Sequence, residues 1–490
     1  MSPRNKTAEL EGTTKTGKFV LPDGKEEIFG TLTFVGPDTY LRLDHDSFFD
    51  TPMDEYFDVA GEFLEDGRKA SLVSCTTSLG LGRRSGQNIK LGYYAEIKPS
   101  MVMIGGQHIS SKENVISKVY FQVDDAGRLF YDHRTFGSVI DAKPYISQIA
   151  NANAEFQAKL DETKVKERIL TGDTPLIAYF TGRTQIFSAE TTLGTVFAEN
   201  HPSYTTGSPE GVSIKNSIYV GIEFPEPVSL KECFWRAIAL LRFLELCAGR
   251  PQNLLDIRLL TTKGEHDYLE VYWPGRPSRR IEGEIRDKPW AGEMLLEPVQ
   301  RHDEYVQVLA QWLGRHKDWE EARMHFVTCM HDQRIFGPAR ITAAANMFDL
   351  LPPLVLPPVP QNKKFNPLKT NILHRAKIVT DNAPGRFLEL EFVVDEAVKC
   401  RKRYVHARRG TIEYKDHFEV VVFLTETLEF LFAASDLIEC GWSLKNWLDD
   451  RLGGRHPFYR YAHSYQRELD NLKKLIAQQK LSEGDGDNTV

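Results

Sequence analysis

The chain has 490 residues, 41% of them hydrophobic and 26% charged, with a formal net charge of −7. That composition fits a soluble globular protein of two or three domains. The acidic balance argues against a general nucleic-acid coat protein and leaves room for a local basic site. Six cysteines (Cys75, Cys233, Cys247, Cys329, Cys400, Cys440) are scattered without a C-x-x-C pair. This spacing excludes a zinc module and points to reduced thiols in the cytoplasm, not to a disulfide framework.

Met1-Ser-Pro-Arg-Asn-Lys6 lacks the apolar core of a signal peptide. From Gly17 to about Ile140 the pattern is β: Ile28–Val35 and Asn114–Val123 alternate apolar with polar residues. Gly36-Pro37-Asp38 and Asp124-Asp125-Ala126-Gly127 read as turns between them, and short strands at this spacing predict a sandwich or barrel. Gly80-Leu-Gly82-Arg-Arg-Ser-Gly86 reads as a hairpin loop, since its glycine spacing does not fit a dinucleotide fingerprint. Ala142–Leu170 turns helical or linker-like.

The region from Thr174 to Trp290 is mixed. Strands are expected at Ser217–Phe224, Leu254–Thr261 and Tyr268–Trp273. Ser229-Leu-Lys-Glu232 is a capping-box signature for a helix running to Ala248, with Gly249 placed to end it. From Glu297 the chain reads as helical, with helices at Pro298–Gly314, Trp319–Asp332, Pro338–Leu350, Leu368–Val379, Arg386–His406, His417–Cys440 and Tyr459–Leu481. Leu351–Pro360 is proline-rich and reads as an extended connector. Glu426, Glu429 and Asp436 interrupt the apolar run Val420–Ile438, which makes it a buried helix and not a membrane span. The expected fold is multidomain α+β. It comprises a β-rich domain over 1–145, a mixed α/β region over 146–296, an all-α bundle over 297–481 and a disordered tail over 482–490.

One short stretch stands out chemically. Lys399–Arg409 carries six basic residues and no acid in an acidic chain. It contains Arg401 and His406, a phosphate-holding cation and a group that moves protons near neutral pH. The Arg-x4-His spacing occurs three times, at Arg128/His133, Arg401/His406 and Arg451/His456. Arg128 follows the Asp-Asp-Ala-Gly turn, and Leu452-Gly453-Gly454 breaks any helix between Arg451 and His456. Only the middle pair continues a helical pattern. Phe387, Leu390, Val394, Ala397, Arg401 and Val405 recur at three or four and form one packing stripe, so Arg401 points toward an apolar face and needs an anionic partner. That partner is a phosphate, a partner subunit or a carboxylate such as Glu391, Glu426 or Glu429. His406 lies about 140° round the helix from Arg401. The two converge on one phosphate only if the helix loosens or a second chain supplies half of the site. Gly410 would end the helix and leave His406 in its last turn, where the dipole favours imidazolium.

Arg401-Lys402-x-x-x-His406, late in a helical bundle and followed by the apolar helix His417–Cys440, resembles the signature of HEPN ribonuclease domains. Together with Gly17-Lys-Phe-Val-Leu-Pro-Asp-Gly24 and Gly30-Thr-Leu-Thr-Phe34, the chain resembles the Apea-like HEPN proteins of bacterial anti-phage defence. The resemblance implies a metal-independent endoribonuclease without a cofactor, paired as a homodimer through the HEPN bundle or built into a higher oligomer. It also implies a phage-derived protein trigger and transfer RNA as the RNA cut. Carried over, Arg401 holds the scissile phosphate. His406 is base for the ribose 2′-hydroxyl or acid for the leaving 5′-oxygen, giving a 2′,3′-cyclic phosphate and a 5′-hydroxyl. Lys402 takes the motif's polar position beside the RNA, Lys399, Arg403, Arg408 and Arg409 would bind flanking phosphates or form a solvated helix face, and Tyr404 would stack on a base or pack in an interface.

Two other readings stay open: a non-catalytic HEPN-type bundle that binds RNA or nucleotides, and a ligand-binding β domain on a helical dimerisation scaffold. No Walker A sequence supports an ATP-driven switch. His325, Cys329 and His331 lack a completing metal-site signature and read as helix packing.

Overall fold

The computed structural model describes residues 8–22, 26–45, 56–83, 91–160, 172–208, 211–275, 290, 292–331, 338–357, 366–406, 412, 416–449 and 454–484. In β1 (Thr14–Val20) and β2 (Glu27–Thr33) alternate residues turn inward, Gly17 and Phe19 on the first, Gly30 and Leu32 on the second, the period of a half-buried strand. With β3 (Tyr40–His45), β4 (Phe57–Phe63), β5 (Lys69–Arg83) and β6 (Leu91–Lys98) they close an antiparallel six-stranded barrel in the order β5-β4-β1-β2-β3-β6 and back to β5. Phe19, Phe34, Leu41, Phe63, Leu72 and Ile97 fill it. Gly61 admits the Phe19 ring: a Cβ there would stand 2.3 Å from it. A hairpin joins β5 to β6 as expected, but Gly80–Arg83, read as part of its loop, continue β5 and pair with β6, and residues 84–90 lie outside the described ones.

Next come β7 (Met101–Gly105), β8 (Ile116–Gln122), α1 (Ala126–Leu129), β9 (Phe136–Ile140), α2 (Lys143–Leu160) and β10 (Leu176–Phe180). β11 (Gln185–Thr191), β12 (Gly194–Ser208), β13 (Gly211–Val228), α3 (Leu230–Ala248), β14 (Leu255–Thr261) and β15 (Gly264–Tyr272) follow. The second sheet runs β11-β12-β13-β8-β14-β15-β7 and joins the barrel where β7 pairs with β5. β9 and β10 form a separate pair. The expected division at residue 145 falls inside this arrangement. β7 and β8 precede it in sequence, yet pair with β13, β14 and β15, which follow it. Alternation reveals a strand locally but not its partner.

The expected turn forms at Asp124 and Asp125, but the chain runs from it into a helix and not into a strand. A short helix, α1, forms there, because Asp125 is buried and ion-paired with Arg250 at 2.8 Å. Arg128, which follows the turn, therefore sits on α1. α3 is capped as its sequence demands. Ser229 Oγ accepts from the Glu232 N–H, and Gly249 takes φ +66°, donating back to Glu245 and Leu246. The Glu232 carboxylate accepts from Arg236 Nε at 2.7 Å and so is engaged one turn on, leaving the box half-made.

The remaining helices are α4 (His302–Gly314), α5 (His316–His331), α6 (Pro338–Asp349), α7 (Pro367–Asn382), α8 (Leu390–His406), α9 (Phe418–Glu439), α10 (Leu444–Asp449) and α11 (Pro457–Gly484). α9 is central, packing against α6, α7, α8 and α11 and buried on nearly every side from Phe423 to Leu437, as a helix apolar all round requires. No helix among the described residues is long and apolar enough to cross a membrane.

Besides shifts of one to four residues at other helix ends, the helical region departs from the sequence reading as follows. α10 escaped it because six residues are too few for a periodicity. α8 starts at Leu390 and not at Arg386, because Gly385 and Glu389 adopt φ of +79° and +53°. The proline-rich connector is partly a 3-10 turn, Pro353–Val355, and residues 358–365 lie outside the described ones. α11 continues to Gly484, three residues into the expected tail; residues 485–490 lie outside the described ones.

Candidate functional site

α8 buries Leu390, Val393, Val394, Ala397 and Val398 against the bundle, which fixes where its next turn points. Arg401 turns into the groove between α8 and α6, its side chain 17% exposed. Val405, the expected last member of the stripe, is 42% exposed. The carboxylates anticipated for Arg401 are engaged elsewhere or remote. Glu429 takes both Nε and Nη2 of the buried Arg340, at 2.7 and 2.6 Å. Glu426 stands 4.0 Å from Arg460, and Glu391 is exposed. Arg401 is held by α6 instead: its Nη2 donates to Asn346 Oδ1 at 3.1 Å, and Asp349 lies 3.8 Å away. Arg401 Nε is buried without an acceptor among the described residues.

His406 is exposed in the last described turn of α8. The helix stays regular from Arg401 to His406, so it does not loosen to bring the two together. Five residues on a regular helix separate them by about 7.5 Å of rise and about 140° of rotation. The other two spacings dissolve. Arg128 and His133 do not share a helix. His456 is buried with Nε2 3.1 Å from the Leu246 carbonyl, while Arg451 lies outside the described residues.

The basic surround is unevenly free. Lys399 Nζ donates to Glu396 at 2.7 Å and pairs with Asp395 at 2.9 Å, and these hydrogen bonds raise its pKa. Burial pushes the Asp395 carboxyl up, but hydrogen bonds from Lys369 and Lys399 outweigh it and leave the group below its ordinary value. Lys402, Arg403 and Tyr404 are half-buried, and Tyr404 packs against the core. Arg408 and Arg409, like the expected terminator Gly410, lie outside the described residues.

Asn346 and Asp349 escaped the sequence reading. An Asn-x-x-Asp at a helix end just before prolines carries no signal until α6 is known to face α8. Among the described residues no group of three or more His, Cys, Asp or Glu could hold a metal. The site therefore offers a guanidinium in a polar groove, an exposed imidazole one and a half turns on, and cations around both. That combination suits recognition of a phosphodiester and proton transfer beside it.

The family described as ApeA N-terminal domain 1 matches residues 14–312. The match runs through the barrel, the second sheet and α3 and stops within α4, so Arg401 and His406 lie beyond it. No curated protein and no solved structure matches the chain. A continuous match over more than half of the 490 residues places this chain in the ApeA family.

Proposed function

We propose that the protein is an anti-phage endoribonuclease whose helical region is a HEPN domain and whose site is completed by a second copy of the chain. Membership of the ApeA family is consistent with an anti-phage defence protein and suggests a defence effector. The observation that carries the finer reading is the placement of Arg401 and His406 on one unbroken helix, with Arg401 anchored and His406 exposed. A single helix cannot aim both at one phosphate, whereas two copies related by a two-fold bring two such pairs to one cleft. Val405 and Phe418, at the adjoining ends of α8 and α9, are 42% and 46% exposed and supply apolar surface for that contact.

In this reading Arg401 binds the scissile phosphate and stabilises the charge that develops on it. His406 takes the proton of the ribose 2′-hydroxyl or gives one to the leaving 5′-oxygen. The 2′-oxygen bonds to phosphorus as the P–O5′ bond breaks, leaving a 2′,3′-cyclic phosphate and a 5′-hydroxyl. The nucleophile belongs to the RNA, so no metal-bound water is required and DNA is spared. Transfer RNA, with its exposed anticodon loop, is the substrate proposed, and the β-rich region senses a phage-derived trigger.

The test incubates wild type, Arg401→Ala and His406→Ala with total cellular RNA in excess EDTA, with and without phage-infected extract, and maps the ends. Wild type is expected to cut and leave cyclic phosphates, and the His406 variant to be slower by about 10²–10⁴-fold, the usual worth of a positioned acid or base. Undiminished cutting by His406→Ala would sink the mechanism. RNA binding without cleavage, unchanged in His406→Ala, would make the bundle a binding module.

A further inference from the structure

The deeply placed arginines of the helical region meet carboxylates: Arg340 with Glu429, Arg323 with Asp436, Arg375 with Glu439. Arg401 does not follow this pattern. Among the described residues it donates to an amide oxygen, Asn346 Oδ1 at 3.1 Å, and the Asp349 carboxylate stands back at 3.8 Å. Resting on the nuclease reading above, we propose that Asn346 is a positioning residue, a neutral anchor that aims the Arg401 guanidinium while leaving its charge for the RNA phosphodiester.

The physical case is one of charge and geometry together. A guanidinium has five N–H donors in a rigid fork, and an amide oxygen occupies one without adding negative charge. A carboxylate in the same place would form a two-pronged ion pair, stronger and shorter, and would spend the charge on the protein. A group meant to stabilise a developing oxyanion has to be fixed in advance and still electrically uncompensated. Asn346 meets both conditions, since α6 is packed into the bundle on its other side through Ile341, Ala344, Ala345 and Phe348. Asp349 competes weakly. Partial burial pushes its carboxyl above the ordinary value, and Arg401 opposes that by less. The buried Nε of Arg401 has no acceptor among the described residues, which leave this fork partly unsatisfied. An incoming phosphate oxygen has the 17% exposure of the side chain by which to approach.

A purely structural contact and a charge-sparing anchor respond in opposite ways to Asn346→Asp. The aspartate keeps the shape and strengthens the bond to Arg401, so a structural role is preserved or improved. A charge-sparing role is lost. The experiment compares full-length wild type, Asn346→Asp, Asn346→Ala and Arg401→Ala for cleavage of bulk transfer RNA and for the salt dependence of binding it. Thermal midpoints check folding. Asn346→Asp is expected to fold as wild type, to cut at least about tenfold more slowly, and to bind with a log–log salt slope shallower by roughly 0.7–0.9, one phosphate contact. Asn346→Ala is expected to lie between wild type and Arg401→Ala in cleavage, with its salt slope kept. Wild-type cutting and salt slope in Asn346→Asp, while Arg401→Ala is dead, would overturn the inference and leave the nuclease reading standing. Wild-type behaviour of Arg401→Ala would remove both. The binding slope is read without turnover, so an unchanged slope in Asn346→Asp counts against the proposal even where no cutting is seen.

Discussion

Asp436→Ala is expected to destabilise the helical region by about 3–5 kcal/mol, the usual cost of leaving a buried charge without its partner. Asp436 on α9 receives both Nε and Nη2 of Arg323 at 2.9 and 3.0 Å, and both side chains are 2% exposed. Two more arginines crowd the same place. Arg375 donates to Ser435 and twice to Glu439, and Arg315 pairs with Glu439 at 2.6 Å and lies 3.7 Å from Asp436. The guanidiniums sit over indole rings, Arg323 at 3.7 Å from the Trp312 centroid and Arg375 at 5.1 Å from that of Trp319. Three cations thus share two carboxylates, and burial pushes both Arg323 and Arg375 below the ordinary guanidinium value. Removing Asp436 leaves Glu439 alone against all three. Urea unfolding followed by tryptophan fluorescence reads this directly, because Trp312 and Trp319 line the cluster. A fluorescence transition within about 1 kcal/mol of wild type would show that Arg323 finds solvent or another anion, contrary to its packing. Replacing the pair together, Arg323→Met with Asp436→Leu, should cost far less than Asp436→Ala, since no buried charge is then orphaned.

This cluster also shows where sequence reading stops. Arg315, Arg323, Arg375, Asp436 and Glu439 lie on α4–α5, α7 and α9, so nothing local links them, and each reads alone as a solvated charge. The features that were legible are those a short window contains: alternation along β2 and β8, the cap at Ser229, the αL glycine at Gly249 and the continuous helix that carries Arg401 and His406. Pairing was not, because β8 meets β13 and β14 across about a hundred residues of chain or more. Backbone exceptions were not legible either. At β14 Asp256 adopts φ +43° within a register shift, which sets it beside Arg258 and Tyr219, and Leu255-Asp-Ile-Arg258 gives no sign of a bulge. At the candidate site the helix and its basic surround were readable, and so was the need for a partner to Arg401. The identity of that partner, an amide on α6 in place of a glutamate on α9, was set by how two helices face each other.

A second large effect is expected from acid. The protein should lose stability as pH falls below 6.5, and His316→Phe should remove much of that loss. His316 opens α5 with 1% exposure, stacked on Trp312 at 5.5 Å and close to Trp235 at 5.9 Å. Both ring nitrogens are buried without hydrogen-bond partners among the described residues. Burial, aided by the charges of Arg323 and Arg242, lowers its pKa from 6.5 to about 3. The native ring therefore stays neutral where the unfolded chain binds a proton, and the unfolded state gains on acidification. Stability is full above 6.5 and falls by about 1.4 kcal/mol per pH unit from there toward 3, so roughly 2–3 kcal/mol is gone by pH 4.5. Phenylalanine fills a similar volume, keeps the stack on Trp312 and gives up no hydrogen bond, so the variant should match wild type at pH 7.5 and be the more stable of the two at pH 4.5. Carboxylates do not mimic this window. Asp58 is pushed up by burial, but hydrogen bonds from Ser111, Ser110 and Ser74 outweigh that and hold it below 3.8, so its contribution is lost only at lower pH. Urea midpoints of both proteins between pH 7.5 and 4.5 settle the matter. Parallel curves would mean that His316 protonates inside the fold at little cost, which a ring wedged between two tryptophans and facing two arginines does not permit.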